Sequence, residues 1–202
     1  MAFAHFSSPS APVVLPDGDY DLVKILVVGP FGIGKTTAID AVSEIPSLHT
    51  EEPMTQAAAS VDDLVVDSKT TTTVAVDFGH ITLPTSRIVL YLFGTPGQER
   101  FRVIWNDIRQ GALGALVLVD TRRLAASFEV MDLLEEAGLD YAVAVNQFPD
   151  TPEHDLDLVR SKLDLENRTP LVICDARDRQ SVLNSLRTLA DHLVSRAGDD
   201  SP

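Results

Sequence analysis

Basic residues are scarce in this chain. Its 202 residues hold 16 Lys and Arg against 30 Asp and Glu, a formal charge of −14. Nonspecific nucleic-acid binding neutralises phosphates with Lys and Arg, and this balance repels them. An anionic membrane surface is repelled for the same reason. Cysteine is nearly absent as well. Cys174 stands alone, which excludes an internal disulfide and agrees with a reducing compartment. No apolar run reaches the roughly 20 residues of a membrane span. Met1 to Pro16 lacks the basic start and sustained apolar stretch of a secretory signal. Ala2 stands where myristoylation needs glycine, and Asp199-Asp200-Ser201-Pro202 carries no prenylation motif. His5, His49, His80, His154 and His192 show no metal-ligand spacing, so no zinc site is expected. The expectation is a soluble cytoplasmic protein with no nucleic-acid partner and no integral membrane segment.

What is present fits one globular domain. The length allows a single domain with tails, and 45% hydrophobic residues argue against disorder throughout. Residues 1–19 are rich in Pro, Ser and Ala without period and read as a flexible N-terminal arm. Residues 20–196 read as the domain, and 197–202 as a frayed acidic tail. Within the domain, apolar runs alternate with helical periods. Strands are expected at Leu22–Val28, Val74–Phe78, Ile88–Phe93, Leu113–Val119, Tyr141–Val145 and Leu171–Cys174. Ile39, Val42 and Ile45 mark a helix closed by Pro46. Leu124, Phe128, Met131 and Leu134 mark another, Leu156, Val159 and Leu163 a third, and Val182, Leu186, Leu189 and Leu193 the last. Residues 47–69 read as a long loop, and Gly79, Pro84 and Thr85 as a turn joining an antiparallel pair. Such alternation builds an α/β domain with helices on both faces of a mostly parallel sheet. Ligands of such sheets sit beyond the carboxyl ends of the strands.

Gly29-Pro30-Phe31-Gly32-Ile33-Gly34-Lys35-Thr36 satisfies G-x-x-x-x-G-K-[ST] between an apolar strand and a helix. The glycines let backbone N–H groups turn inward around phosphate oxygens. The helix starting near Lys35, with Thr37 in its first turn, adds the positive end of its dipole. Lys35 is expected to reach the terminal phosphates and the Thr36 hydroxyl to bind Mg²⁺. The motif indicates a nucleoside triphosphate and leaves base and reaction open.

Gly94-Thr95-Pro96-Gly97-Gln98-Glu99 follows the strand ending at Phe93. Here the chain resembles Ras-like small GTPases, whose pattern is D-x-x-G-Q-E. The resemblance implies that the Gly97 N–H contacts a γ-phosphate and that Gln98 orients the attacking water. It also implies a Thr that closes over Mg²⁺ and the γ-phosphate. Aligned on Val-Asp-Phe, that residue is Thr73, in a loop of four threonines, Thr70 to Thr73. The usual metal-supporting Asp is Gly94 in this chain, and Asp77 on the adjacent strand is the candidate replacement.

Small GTPases read guanine with N-K-x-D. This chain has Asn146-Gln147-Phe148-Pro149-Asp150. Asn146 matches, Gln147 replaces the Lys, and Pro149 takes the Asp position with Asp150 one step late. Guanine discrimination rests on that carboxylate, so either Asp150 reaches in from a shifted loop or base specificity is relaxed. Cys174-Asp175-Ala176-Arg177 resembles the S-A-K loop, in which the Ala176 N–H meets the base oxygen. Cys174 itself reads as a buried filler.

Over about residues 22–195 the blocks Gly-Thr-Pro-Gly-Gln-Glu-Arg, Val-Ala-Val-Asp-Phe-Gly and Cys-Asp-Ala-Arg-Asp together resemble actinobacterial conservon GTPases, relatives of Mgl-type polarity GTPases. That resemblance implies a P-loop NTPase of Ras-like three-layer architecture, with a six-stranded mostly parallel sheet and one antiparallel strand. It implies GTP/GDP and Mg²⁺ as ligands. It further implies a roadblock-domain regulator and a sensor-kinase-like protein as partners, and recruitment to the membrane periphery through a partner. The function so implied is a signalling switch with slow, partner-regulated GTP hydrolysis. Two readings compete with it: a nucleotide-binding interaction module with little hydrolysis, and a P-loop small-molecule kinase. The kinase would need an Arg-rich lid, which the sequence lacks.

Arg100 and Arg102 read as a solvated helix start rather than an internal arginine finger. Trp105 and Phe101 suit either a core or a partner-facing patch, and Arg122-Arg123 reads as surface.

Overall fold

The computed structural model describes residues 19–46, 48–54, 72–95, 102–149, 151 and 155–199. Seven strands, β1 (Asp21–Val28), β2 (Leu48–Met54), β3 (Thr72–Leu83), β4 (Ile88–Gly94), β5 (Ala112–Val119), β6 (Tyr141–Asn146) and β7 (Leu171–Cys174), form one sheet. The helices are α1 (Lys35–Val42), α2 (Arg102–Arg109), α3 (Phe128–Glu136), α4 (Leu156–Lys162) and α5 (Arg179–Asp199). Strand order is β2-β3-β4-β1-β5-β6-β7. Every neighbouring pair is parallel except the two that involve β3. The α/β class, the six anticipated strands and the single antiparallel strand are all present.

The central strands are near-continuous apolar runs because both faces are covered. Val143, Ala144 and Val145 are fully buried, as are Leu116, Val117 and Leu118. Alternate side chains feed two cores. One joins Val27, Ile39, Leu92, Leu118 and Leu189 on the α1 and α5 side. The other joins Leu26, Val117, Met131, Leu134 and Val159 on the α3 and α4 side. Trp105 belongs to the second and is 8% exposed, so it is core rather than a partner patch. Phe101 lies outside the described residues.

Three local expectations are corrected. The stretch expected to be a loop from residue 47 begins with β2, which pairs antiparallel with β3 from Leu48↔Phe78 to Met54↔Thr72. Its polar sequence hides it, because the pairing is made by backbone rather than by apolar side chains. Residues 55–71 lie outside the described residues. Gly79 is not a turn residue but sits inside β3. A Cβ there would stand 2.6 Å from Ile39 Cγ2 and 2.8 Å from Ser43 Oγ, so glycine lets α1 lie against the strand. The turn is a short 3-10 segment at Pro84–Ser86, closed by Arg87 in the left-handed region. Finally, α1 stops at Val42, before Ile45, with the Ser43 N–H donating to the Ile39 carbonyl.

The phosphate motif follows β1, which lies between β4 and β5 at the middle of the sheet. The loops after β4, β5, β6 and β7 share its rim, since these strands run parallel to β1. Among the described residues, no helix is long and apolar enough to cross a membrane.

Candidate functional site

The loop Gly29–Gly34 turns through positive φ at Gly29 (139°), Gly32 (73°) and Gly34 (104°). Glycine at the first position is a packing requirement, since a Cβ there would lie 2.4 Å from the Leu118 carbonyl oxygen. Gly34 precedes α1, and no side chain caps that helix. Its first amides are therefore available to an anion. Ile33 is fully buried and anchors the loop, whereas Phe31 stands 71% exposed at its crest. Thr37 is exposed on α1.

Lys35 is held over this loop. Its Nζ donates to the carbonyls of Gly29 and Pro30, each at 2.8 Å, and the residue is 8% exposed. Burial lowers its pKa to about 8, against the opposing pull of Asp77. The Thr36 hydroxyl donates to the Asp77 carboxylate. Asp77 pairs in register with Gly94 across β3 and β4. Here Asp77 stands beside the expected metal-binding hydroxyl, and Gly94 supplies the room for it. The pair of oxygen donors Thr36 Oγ1 and Asp77 Oδ2 is of the hard kind that suits Mg²⁺. Among the described residues no cluster of three or more His, Cys, Asp or Glu gathers to hold a metal by itself.

The base-side loops are tied to the phosphate loop by one buried residue. Asn146 Nδ2 donates to the Ile33 carbonyl at 2.7 Å, and its Oδ1 accepts from the Ala176 N–H at 3.0 Å. Asn146 is 4% exposed. The Gln147 N–H donates to the Cys174 carbonyl at 2.7 Å, which joins the loops after β6 and β7 again, while the Gln147 side chain is exposed. Asp175 and Arg177 form an ion pair at 2.7 Å, and Arg177 holds the Asp175 carboxyl below its ordinary range. Cys174 is fully buried, and burial pushes its thiol up, as suits a filler.

Other expected site residues are not gathered here. Thr73 lies in β3 opposite Pro53, four residues along the strand from Asp77, rather than in a loop. Gly97, Gln98, Arg100 and Asp150 lie outside the described residues.

Sequence reasoning missed the loop after β5. Asp120, 1% exposed, accepts from the backbone N–H of Arg122 at 2.9 Å and from its guanidinium Nε and Nη2 at 2.9 and 2.8 Å. The Arg122 guanidinium in turn lies 4.2 Å from the centre of the Phe148 ring, in the base-side loop. Arg122 is therefore part of the rim and not simple surface. The available signal was an Asp closing an apolar strand two residues before an Arg.

The family model described as conserved hypothetical ATP binding protein matches residues 27–196. An uncharacterized protein of Methanocaldococcus jannaschii is 29% identical over 130 residues, covering 63% of this chain and 71% of that protein. The Ras-related protein Rab-27B of Bos taurus is 27% identical over 177 residues, covering 81% of this chain and 69% of its own. Among solved structures, the FeoB G-domain from Methanococcus jannaschii superposes with a TM-score of 0.57 at 15% identity, over 86% of this chain and 98% of that one. This last likeness concerns the fold.

Proposed function

With the chain belonging to the family described as conserved hypothetical ATP binding protein and built as a Ras-like P-loop domain, we propose that it is a GTP-binding signalling switch with slow, partner-regulated hydrolysis. The observation that carries this reading is Asn146, which fastens the phosphate loop at Ile33 to the base-side loop at Ala176. A free-standing phosphate grip has no need of that link, whereas a nucleotide spans both sides of it.

The roles are those the motifs and the resemblance imply, and the contacts of Lys35, Thr36 and Asn146 support their part of them. Backbone amides of Gly32 to Lys35 bind phosphate oxygens, and the Lys35 ammonium exchanges its carbonyl contacts for the terminal phosphates. Thr36 would hold Mg²⁺, with Asp77 behind it. When bound, the metal neutralises charge developing on the phosphates. Gln98 orients the attacking water, and Thr73, which lies in β3 opposite Pro53, must leave that pairing to close over the γ-phosphate. Conversion of GTP to GDP and phosphate then releases both segments, an order–disorder switch.

The chain's motifs also support placement among the conservon GTPases, with a roadblock-domain regulator and a sensor-kinase-like partner that brings it to the membrane periphery. A second reading has its own support. Gly94 and Pro149 stand where the metal and guanine carboxylates are expected, which favours a binding module of relaxed base preference and little turnover.

Single-turnover hydrolysis of GTP and ATP, with and without a roadblock-domain protein, tests the switch. The expected result is a slow GTPase rate that the partner raises and Gln98→Leu abolishes. Equal rates in the wild type and Gln98→Leu would overturn the switch in favour of the binding module.

A further inference from the structure

The altered base-side loop lacks the long lysine stem over which a purine would lie, since Gln147 occupies its place and is exposed. The structure offers another planar surface nearby. β5 runs between β1 and β6, so the loop after it stands between the phosphate loop and the base-side loop. From that loop Arg122 reaches the face of Phe148 at 4.2 Å. Phe148 packs against the core cluster that contains Ile33, Cys174 and Ala176, the side of the sheet on which Asn146 makes its link.

The guanidinium is held by the buried Asp120 carboxylate through Nε and Nη2, and its Cζ lies over the Phe148 ring. Half of the Arg122 side chain remains exposed. A clamped guanidinium backed by an aromatic ring is a stacking platform for a nucleobase, because both surfaces are flat and weakly hydrated. It also explains the buried carboxylate at the end of β5: Asp120 orients a plane, where a surface ion pair would have little reason to be 1% exposed.

We propose that Arg122, oriented by Asp120 and backed by Phe148, forms the base-stacking wall of the nucleotide site. The ligand class is a purine nucleotide, held at its phosphates by the Lys35 loop and at its base by the Arg122 plane. This rests on the nucleotide-site reading above and goes beyond it. Stacking uses the face of a base, which guanine and adenine share, so Arg122 strengthens binding of both without choosing between them. Discrimination is left to contacts with the edge of the base.

The test compares the affinities of the full chain for GTP, ATP and inorganic tripolyphosphate, each with Mg²⁺, for the wild type, Arg122→Ala and Arg122→Lys. Arg122→Ala should weaken GTP and ATP alike by about tenfold and leave tripolyphosphate unchanged. Arg122→Lys should resemble Arg122→Ala, because lysine keeps the charge and loses the plane. Phe148→Leu removes the backing ring while keeping the Asp120 clamp, and should weaken the nucleotides alone; it serves if Arg122→Ala does not fold. Unchanged nucleotide affinity, a parallel fall for tripolyphosphate, or full rescue by lysine would each overturn the wall. A wild type that binds tripolyphosphate as tightly as GTP would sink the wall and leave the phosphate site standing. Binding of neither would sink both.

Discussion

Asp77 fills the space that a side chain on Gly94 would need. The two residues pair across β3 and β4, and a Cβ on Gly94 would fall 2.9 Å from Asp77 Cβ and 3.0 Å from Ile39 Cδ1. The carboxylate that the motif leads one to expect on β4 has its counterpart one strand over, still within reach of Thr36. Side chains at both positions force their neighbours to shift.

Exchanging the two positions tests this. Gly94→Asp alone should destabilise the fold by about 1–3 kcal/mol through overpacking, read by urea unfolding. Asp77→Gly alone should raise the Mg²⁺ concentration needed for nucleotide binding about 10- to 100-fold. The double exchange should recover stability and much of the Mg²⁺ response. A double variant no better than the poorer single one would show that the two positions are not equivalent.

Lys35 makes binding depend on pH in a definite direction. Burial lowers it to about 8. In the empty folded protein it loses its proton before the unfolded chain does, so its contribution to stability rises as pH climbs from about 8 towards its ordinary value. Phosphate favours the ammonium, so nucleotide affinity should fall as pH rises through about 8, and binding there should take up a proton. Calorimetry in two buffers of different ionisation enthalpy reads that proton. Lys35→Met should abolish the uptake; uptake of equal size in that variant would assign it to another group.

Asn146→Ala removes two buried hydrogen bonds at once and leaves the Ile33 carbonyl and the Ala176 N–H without their partner. The expected loss is about 2–4 kcal/mol of stability, with nucleotide binding weakened further because the loops lose their mutual register. Thermal unfolding with and without GTP separates the two effects. A variant as stable as the wild type would mean that the link is dispensable.

Asp120 gives the fold an acid-sensitive joint. Hydrogen bonds from Arg122 hold its carboxyl below the ordinary range. Its stabilisation is thus complete above the ordinary carboxylate pKa and is lost as pH falls through the lowered one. In Asp120→Asn the fall in stability from pH 5 downward should be shallower than in the wild type. Identical acid-unfolding curves would remove Asp120 from that transition.

The phosphate loop was legible because its chemistry is local: glycines, a lysine and a threonine at fixed spacing between a strand and a helix. The buried central strands were legible because burial on two faces leaves unbroken apolar runs such as Leu116–Val119. β2 was not legible, since Leu-His-Thr-Glu-Glu-Pro-Met carries neither run nor alternation and pairs with β3 through its backbone. Gly79 read as a turn because glycine marks both turns and close approaches, and only the packing of α1 distinguishes them. Arg122 read as surface because its partner Phe148 lies far along the chain.

Sequence alone determined that a triphosphate-binding loop stands at the carboxyl end of a parallel strand, because that requirement is met by adjacent residues. Only the tertiary structure decided which carboxylate backs Thr36 and which side chain faces Phe148. Those relations join positions on different strands, and the distances between strands are set by packing, which no spacing along the chain records.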